Sequence, residues 1–389
     1  MNLGTRRLCT WQRRFGALPL SVYITVALIT CAQAVDWPMH RGGPQLQGVA
    51  QMAAPTKAVL AWSFVAGAPI KGSAAIALAR VYFGDDAGVL HALSVEQGKE
   101  LWTFKAESSI EATPLVLAGV VYVGSADSNL YALDAVTGTL KWKYGTGGKI
   151  QGGATHARNP ENTGDWILVG SYDTSLHCVD AATGKVVWTH ATDNYINGTP
   201  ALFKTGEIVF GGCDAAIHVL ALKDGSELRH IDAEAYIASS VAIMDGLGYV
   251  GNYANYVLAF DPKAGAVTWK YRDRNFPYLS SAAVTAEYVV IGGGDKQLHC
   301  LDRATGRSVW KFQARKPIDS SPVVCGDAVV VGSGDGRLYC VGLMDGKERW
   351  AYEIGAALSG SPAVADGRII IGAEDGTLYC FGAAAPGTP

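Results

Sequence analysis

The sequence is poor in charge and has no segment typical of a long helix. Asp, Glu, Lys and Arg make up only 17% of its 389 residues, and it contains neither a heptad pattern nor a low-complexity tract. These absences exclude a coiled coil and an intrinsically disordered chain. Glycine, by contrast, supplies 47 residues and apolar side chains 49%. This composition is typical of turn-rich β structure.

Motifs of several enzyme and metal-site classes are also missing. The sequence contains no H-E-x-x-H, no G-x-S-x-G, no Asp-x-Asp-x-Asp-Gly and no Cys-x-x-Cys. It therefore predicts no catalytic residue and no metal site. Six cysteines follow residue 34, and four of them occupy one equivalent position of an internal repeat: Cys178, Cys300, Cys340 and Cys380. We expect these to be separate core residues instead of disulfide partners.

The first 34 residues form a segment of their own kind. Four arginines (Arg6, Arg7, Arg13 and Arg14) precede an apolar stretch, residues 15–30, which is followed by Ala32-Gln33-Ala34. The pattern predicts a signal peptide, residues 1–34, cleaved after Ala34 and directing the protein to the periplasm or the extracellular space. The apolar stretch is short for a transmembrane span. Lipidation at Cys31, behind Leu28-Ile29-Thr30, is the alternative and would tether the protein to a membrane.

Acidic residues outnumber basic ones, 35 to 32, and removal of the arginine-rich signal widens the difference. An acidic surface repels the phosphate backbone of DNA and RNA. Nucleic acid is therefore not expected as a partner.

A unit of about 40 residues recurs along the rest of the chain. Each copy predicts four short strands separated by turns. The glycine that follows the second strand marks eight copies: Gly84, Gly124, Gly170, Gly211, Gly251, Gly292, Gly332 and Gly372. A fourth-strand tryptophan marks seven of them, Trp62, Trp102, Trp142, Trp188, Trp269, Trp310 and Trp350, and Arg229 stands in the eighth.

The two ends of the chain complement each other. Trp62 precedes the first glycine, whereas the last copy stops at Phe381 without a fourth strand of its own. We therefore predict an all-β, eight-bladed β-propeller with four-stranded antiparallel blades, closed when an N-terminal strand at residues 58–65 completes the C-terminal blade. The predicted boundaries are an N-terminal segment at 35–57, the propeller at 58–382 and a flexible tail at 383–389.

The copies, with cores such as Leu130 to Trp142, resemble the repeat of the pyrroloquinoline-quinone (PQQ)-like propeller family, within the WD40-like and quinoprotein-like folds. Trp37 with Arg41-Gly42 is similar to the first segment of such proteins. The resemblance implies that the seven tryptophans dock neighbouring blades. It also implies one of two functions, because the family contains quinoprotein dehydrogenases as well as non-catalytic scaffolds similar to the outer-membrane protein assembly factor BamB.

The sequence favours the scaffold. The dehydrogenases carry adjacent cysteines, bound calcium and long insertions, whereas this chain has no Cys-Cys pair and a nearly constant repeat. We expect a non-catalytic, protein-binding monomer within a larger cell-envelope complex, without a cofactor. One alternative is a PQQ-dependent dehydrogenase of alcohols or sugars that uses PQQ and calcium, and another is a glycan-binding propeller.

Departures from the repeat predict where a site lies, because propeller loops converge around the axis. The residue after the apolar start of each innermost strand varies, and these positions should ring one channel mouth: Lys71, Glu111, Gln151, Asn197, Ala238, Ser280, Asp319 and Ser359. Three tyrosines precede the apolar position in consecutive copies, Tyr195, Tyr236 and Tyr278. We expect their rings to lie side by side.

Blade five departs most from the consensus. Its turn reads Asn252-Tyr253-Ala254-Asn255-Tyr256, and its longer exit loop carries Arg272, Arg274 and Phe276. Tyrosine, arginine and asparagine on one sector are typical of a protein or glycan contact, since they bury area while keeping a polar tip. Scattered loop aromatics and an ordinary solvated channel lining are the structural alternatives.

Overall fold

The computed structural model describes residues 36–383, and the predicted signal peptide, Cys31 and residues 384–389 lie outside the described part. Ahead of the first blade are a 3-10 turn (His40–Gly42) and strands β1 (Val49–Ala50) and β2 (Ala58–Val65). Between residues 36 and 383, no helix is long and apolar enough to cross a bilayer. The six cysteines of this range are free thiols.

The chain forms eight four-stranded antiparallel blades, and in the first seven the strands follow chain order from the inside outwards. Blades 1 to 4 consist of β3 (Ala75–Ala77), β4 (Arg80–Gly84), β5 (Val89–Ser94), β6 (Glu100–Lys105); β7 (Leu115–Leu117), β8 (Val120–Gly124), β9 (Asn129–Asp134), β10 (Leu140–Gly145); β11 (Thr155–Arg158), β12 (Asp165–Gly170), β13 (Ser175–Asp180), β14 (Val186–Ala191); and β15 (Ala201–Leu202), β16 (Glu207–Gly211), β17 (Ala216–Ala221), β18 (Glu227–Asp232). Blades 5 to 8 consist of β19 (Ala242–Met244), β20 (Leu247–Gly251), β21 (Val257–Asp261), β22 (Ala266–Tyr271); β23 (Ala283–Val284), β24 (Tyr288–Gly292), β25 (Gln297–Asp302), β26 (Ser308–Gln313); β27 (Val323–Cys325), β28 (Ala328–Gly332), β29 (Arg337–Gly342), β30 (Glu348–Glu353); and β31 (Ala363–Ala365), β32 (Arg368–Gly372), β33 (Thr377–Ala383), with β2 as the outer strand.

The ring closes as the sequence predicts. Strand β2 pairs antiparallel with β33, from Ala58 opposite Ala383 to Val65 opposite Thr377, and so supplies the missing outer strand of blade 8. The prediction of an eight-bladed propeller with antiparallel four-stranded blades is confirmed. Closure protects the edges that an open array of blades would leave unpaired.

The recurring glycine has a packing role. A Cβ placed on Gly124 would lie 2.1 Å from Ile150 Cγ2 of the next blade, so only a hydrogen fits at this position. The same contact recurs around the ring, and the eight side chains that cover the glycines are Ile110, Ile150, Ile196, Ile237, Tyr278, Ile318, Leu358 and Ile70. Each blade therefore inserts one large side chain into the preceding blade.

The tryptophans make the complementary contact at the outer edge. The Nε1 of Trp102 donates to the Ala135 carbonyl of the next blade at 3.2 Å, and its ring covers Gly138, whose φ is +73°. The corresponding acceptors of Trp62, Trp142, Trp188, Trp269, Trp310 and Trp350 are Val95, Ala181, Leu222, Arg303, Leu343 and Pro55. At the exception, the aliphatic stem of Arg229 lies over Gly265.

The N-terminal segment runs along the innermost strands around the channel axis. Trp37 bridges to Ile76 of blade 1, and β1 pairs in parallel with β27 of blade 7. Between them, carbonyls of the segment accept backbone hydrogen bonds from blades 2, 4, 5 and 6, at Val116, Leu202, Ile243 and Val284. The segment thus contacts six blades from inside the ring.

Arg41 anchors the middle of this segment. Its side chain is 3% exposed, and Nη2 donates to the carbonyls of Ala282 at 3.0 Å and Pro322 at 2.6 Å. These carbonyls precede the innermost strands of blades 6 and 7. A guanidinium is a suitable anchor because it presents several donors in a fixed plane.

Candidate functional site

The centre of the ring holds a cavity of about 170 Å³ lined almost entirely by polar side chains and glycine. Seven of the eight residues that the sequence assigns to the channel mouth line it: Lys71, Glu111, Gln151, Asn197, Ala238, Asp319 and Ser359. His40 of the N-terminal segment lines it too, with Nδ1 3.4 Å from Thr113 Oγ1. The segment therefore borders the cavity, an arrangement that the sequence alone did not indicate.

The eighth assignment, Ser280, is wrong by one residue. Leu279 lines the cavity in its place, and the buried Ser280 hydroxyl is instead bonded to the backbone N–H and C=O of Gly292. The cause is Tyr278, whose Cβ covers Gly251 as isoleucine does in most other blades. An aromatic residue occupies the position that is aliphatic in the other copies. Aligning the copies by their aliphatic residues therefore displaced this loop by one residue.

The same shift corrects the expected tyrosine row. Tyr278 is 1% exposed and packs against Tyr271 and His299, so it is a core residue. Tyr195 and Tyr236 are 47% and 53% exposed, as expected of contact residues. Pro277, not a tyrosine, occupies the corresponding position at blade 6.

Turn tyrosines extend the exposed row instead. Tyr172 stacks on Tyr195, with ring centroids 4.5 Å apart and planes at 7°. Tyr253, 48% exposed, meets Tyr236 edge-on at 6.4 Å. Tyr172 also donates to Gln151 of the channel mouth. We call Tyr172, Tyr195, Tyr236 and Tyr253 the tyrosine sector. Tyr172 was not among the residues predicted from the sequence, although it occupies the same turn position as Tyr253.

The remaining residues of blade five divide into structural and exposed groups. Asn252 is buried; its Nδ2 donates to the Ala233 carbonyl at 2.7 Å and its Oδ1 accepts from Tyr256 N–H at 2.9 Å. Asn255 has φ +70° and shapes the same turn. Arg272 lies over the Tyr256 ring at 5.4 Å.

The exit loop of blade five adds a second exposed ring beside this turn. Phe276 is exposed, and Arg274 lies 3.9 Å from the Asp273 carboxylate. Among the residues predicted for the contact, Asn252 and Tyr278 are therefore parts of the fold, whereas Tyr195, Tyr236 and Tyr253 belong to the tyrosine sector.

Charge occupies the opposite half of the mouth. Lys71 forms an ion pair with Asp86 at 2.5 Å, and Glu374 accepts a hydrogen bond from Ser359 at 2.9 Å. Glu111 accepts one from Gln151. The mouth is thus polarised, with aromatic rings on blades 3 to 5 and mainly acidic groups on blades 7, 8, 1 and 2.

A belt of serine hydroxyls that no sequence motif indicated lies along five of the eight blade junctions beside the cavity. The backbone N–H of one blade donates to the serine Oγ of the next, at 2.9 to 3.0 Å, in five successive junctions whose acceptors are Ser240, Ser281, Ser321, Ser361 and Ser73. Gly153 interrupts the belt, and a Cβ there would lie 3.4 Å from His40 Cβ. The belt fixes the inner strands that carry the mouth.

The position of His40 makes the fold sensitive to acid. Burial, together with the neighbouring Arg41 charge, lowers the pKa of His40 to about 3, from 6.5. As the pH falls below about 6.5, the unfolded chain binds a proton at His40 that the folded protein does not bind. The free energy of unfolding therefore decreases below this pH.

We expect His40→Gln to remove this loss. Urea unfolding between pH 7.5 and 4.5 should show the wild type losing stability relative to His40→Gln, with a slope of at most about 1.4 kcal/mol per pH unit. Parallel curves for the two proteins over this range would contradict the assignment.

Comparison with known proteins identifies the family of this chain. A family model described as outer membrane protein assembly factor BamB matches residues 47–171, 149–271, 254–336 and 294–385. The chain belongs to the BamB family. A curated member, BamB of Nitrosomonas eutropha, is 26% identical over 116 residues, which make up 30% of this chain and 28% of that protein. The sequence resemblance to PQQ-like propellers is thereby confirmed.

Solved structures of the BamB family and of a related enzyme have the same fold. BamB from Moraxella catarrhalis superposes with a TM-score of 0.70 at 19% identity, covering 84% of this chain and 100% of that chain. Quinohemoprotein alcohol dehydrogenase from Comamonas testosteroni gives 0.77 at 14% identity, covering 91% and 82%. At these identities the structural similarity shows the fold alone. It does not distinguish a scaffold from a dehydrogenase.

Proposed function

We propose that this BamB-family propeller is an exported, non-catalytic scaffold of the cell envelope that binds a protein partner in outer-membrane protein assembly through the tyrosine sector. Family membership supports the cellular role, because the family model and the Nitrosomonas relative carry that name. The predicted signal peptide supports export to the periplasm, with soluble release after Ala34 and lipidation at Cys31 as the two forms.

The observation that carries the binding proposal is the exposure of three tyrosine rings on one side of the mouth, at 47%, 53% and 48% for Tyr195, Tyr236 and Tyr253. Isolated exposed aromatics need no explanation, but these rings belong to two contacting pairs, Tyr172 with Tyr195 and Tyr236 with Tyr253. Contiguous exposed apolar area marks interaction sites. Tyrosine is enriched among interface residues with large binding contributions.

The small size of the channel cavity argues against a cofactor bound in the channel. The channel cavity of about 170 Å³ is smaller than the roughly 300–1,000 Å³ typical of cofactor and small-molecule sites. Its lining is hydroxyl, amide, charged and glycine residues, with few of the apolar walls that hold a planar ring system. The site gives no specific support to the PQQ-dependent or the glycan-binding alternative.

Site-specific photocross-linking tests the proposal. A benzophenone amino acid at Tyr236 should, on irradiation of living cells, give a covalent adduct with a component of the outer-membrane protein assembly machinery, identified by mass spectrometry. The same amino acid at Val136, an exposed residue in a turn on the opposite face, is the matched control and should not give that adduct.

Affinity measurements with the captured partner complete the test. Tyr195→Ala and Tyr236→Ala should each weaken binding about 30-fold, which corresponds to about 2 kcal/mol for an interface hot spot. Their thermal unfolding should match the wild type because both rings are half exposed. Equal cross-linking from both faces, or unchanged affinity of the double variant, would reject the tyrosine sector as the contact.

A further inference from the structure

Three histidines and a glutamate meet where blade 3 contacts blade 4. His190 is on β14, His218 on β17, and Glu227 and His230 on β18. One ligand atom from each of His190, His218 and Glu227 lies within 4.8 Å of the other two. Glu227 Oε1 is 2.7 Å from His218 Nδ1 and 3.5 Å from His230 Nδ1.

Comparison with blade 1 separates what belongs to the repeat from what does not. There His91 lies 3.2 Å from Asp85 and 2.9 Å from Glu100, much as His218 lies between Asp214 and Glu227. At the position of His190, however, blade 1 receives Phe64, which meets His91 edge-on. At the position of His230 it has Thr103, which pairs with His91 across the sheet as His230 pairs with His218.

No other copy has imidazoles at these two positions. The residues equivalent to His190 are Phe64, Phe104, Tyr144, Ile231, Tyr271, Phe312 and Tyr352, and those equivalent to His230 are Ser63, Thr103, Lys143, Thr189, Lys270, Lys311 and Ala351. The packing of the repeat therefore does not require them. Two additional imidazoles converge on the carboxylate that the repeat already provides.

The buried side of the cluster is arranged as a ligand support. His218 Nε2 is 2.8 Å from Asp214 Oδ2, and both side chains are buried. This contact occupies one ring nitrogen and turns the other, Nδ1, towards Glu227 and His190. A carboxylate behind a histidine is the usual outer partner of a histidine that ligates a metal, because it fixes the orientation of the ring.

We propose that His190, His218 and Glu227 bind a transition-metal ion of the Zn²⁺ class, with His230 as the fourth ligand. Histidine nitrogen and carboxylate oxygen are zinc ligands with bonds of about 2.0–2.2 Å, which puts neighbouring ligand atoms of a tetrahedral site about 3.4 Å apart. The observed separations, from 2.7 Å to at most 4.8 Å for the three core ligands, bracket this value. Glu227 and His230 are partly exposed, so the ion has a path from solvent.

A second group of ligand-type residues, Asp273, Asp295 and His299, differs in two respects. It contains a single imidazole, and the Lys311 ammonium already bonds Asp273. The positive charge of Lys311 repels a metal ion at this position, so the proposal is confined to the junction of blades 3 and 4.

The site joins two neighbouring blades and does not depend on the proposed protein partner. His190 lies five residues before Tyr195 on the same outer strand and exit loop. A bound ion at this point would fix the strand that leads into the tyrosine sector. The mouth cavity has no part in it.

Metal titration of the purified, chelator-treated protein without a polyhistidine tag tests the site. Isothermal titration with Zn²⁺ should show one tight site per chain, and Co²⁺ should give the visible absorption of a tetrahedral complex. His190→Phe, which installs the residue that blade 8 presents to His91, should weaken Zn²⁺ binding at least about 100-fold. Asp214→Asn should weaken it about 10- to 100-fold.

Controls distinguish lost ligation from lost folding. His190→Phe and the exposed variant His230→Ala should retain the wild-type melting temperature in chelator, while Zn²⁺ raises the melting temperature of the wild type more than that of His190→Phe. Phe64→His with Thr103→His should create a second Zn²⁺ site at the junction of blades 8 and 1. Zn²⁺ binding of equal affinity and stoichiometry in the wild type and in folded His190→Phe would overturn the proposal.

Discussion

Gly124→Val is expected to destabilise the propeller by about 3 kcal/mol or more, the upper end for overpacking a core. The first added carbon would lie 2.1 Å from Ile150 Cγ2 and 2.7 Å from Ile150 Cβ. The strand that carries Gly124 is paired within its blade, and the backbone N–H of Ile150 is held by the Ser125 carbonyl at 3.1 Å, so neither side of the contact can readily retreat. Urea unfolding followed by tryptophan fluorescence should show an earlier midpoint at an unchanged slope.

The double variant isolates this contact. Ile150→Ala alone should cost about 2–5 kcal/mol, because the side chain is fully buried. Combined with Gly124→Val, it removes Cγ2, the closer of the two clashing atoms, and leaves Ile150 Cβ at 2.7 Å and the backbone oxygen at 3.5 Å from the added carbon. The pair should therefore be more stable than the sum of the single losses by about 1–3 kcal/mol. Strict additivity would refute the insertion of one side chain per blade as the reason for the glycine.

Trp102→Ala is expected to cost about 3 kcal/mol, the lower end for this substitution because the ring is only partly buried. The variant loses the hydrogen bond to Ala135 and the contact with Tyr82, whose ring centroid is 5.8 Å away. Thermal and urea unfolding provide the measurement. A loss below about 1 kcal/mol would mean that the tryptophans do not dock the blades.

Arg229→Trp is the reverse experiment at the one exceptional blade. Gly265 of the next blade already has the φ of +67° that the equivalent glycines adopt beneath a tryptophan ring. By repeat position, the new Nε1 would meet the carbonyl of Pro262. We expect a gain of about 1 kcal/mol from the added hydrogen bond and packing. A destabilised variant would show that Arg229 has a role that tryptophan cannot replace.

The fold followed from the sequence because each copy carries both halves of the blade contact. The glycine marks the position where a side chain of the next blade packs, and the tryptophan marks the outer contact between blades. The number of these residues therefore gives the number of blades. Ring closure followed from Trp62 and Phe381, which show that one copy is divided between the termini. Such signals are local and repeat at fixed spacing, which makes them visible without a structure.

The site was only partly predictable, for a reason visible at Tyr278. Its aromatic ring fills a position that is aliphatic in the other copies, so the predicted register of this loop was displaced by one residue. Tyr278 and Ser280, which were predicted at the surface, are therefore buried. The position of His40 in the channel was invisible because contacts between the N-terminal segment and six blades leave no periodic pattern. The cluster of His190, His218, Glu227 and His230 joins two blades and has no spacing motif.

The pairing of Ala58–Val65 with Thr377–Ala383 also sets the order in which this protein becomes stable. Early and late parts of the chain must meet before blade 8 is complete, and such distant contacts are formed slowly. Apolar surface at the edge of the first blades therefore stays exposed until the last strand has been synthesised. The time between the first and the last blade is therefore the interval in which this protein most needs protection from aggregation.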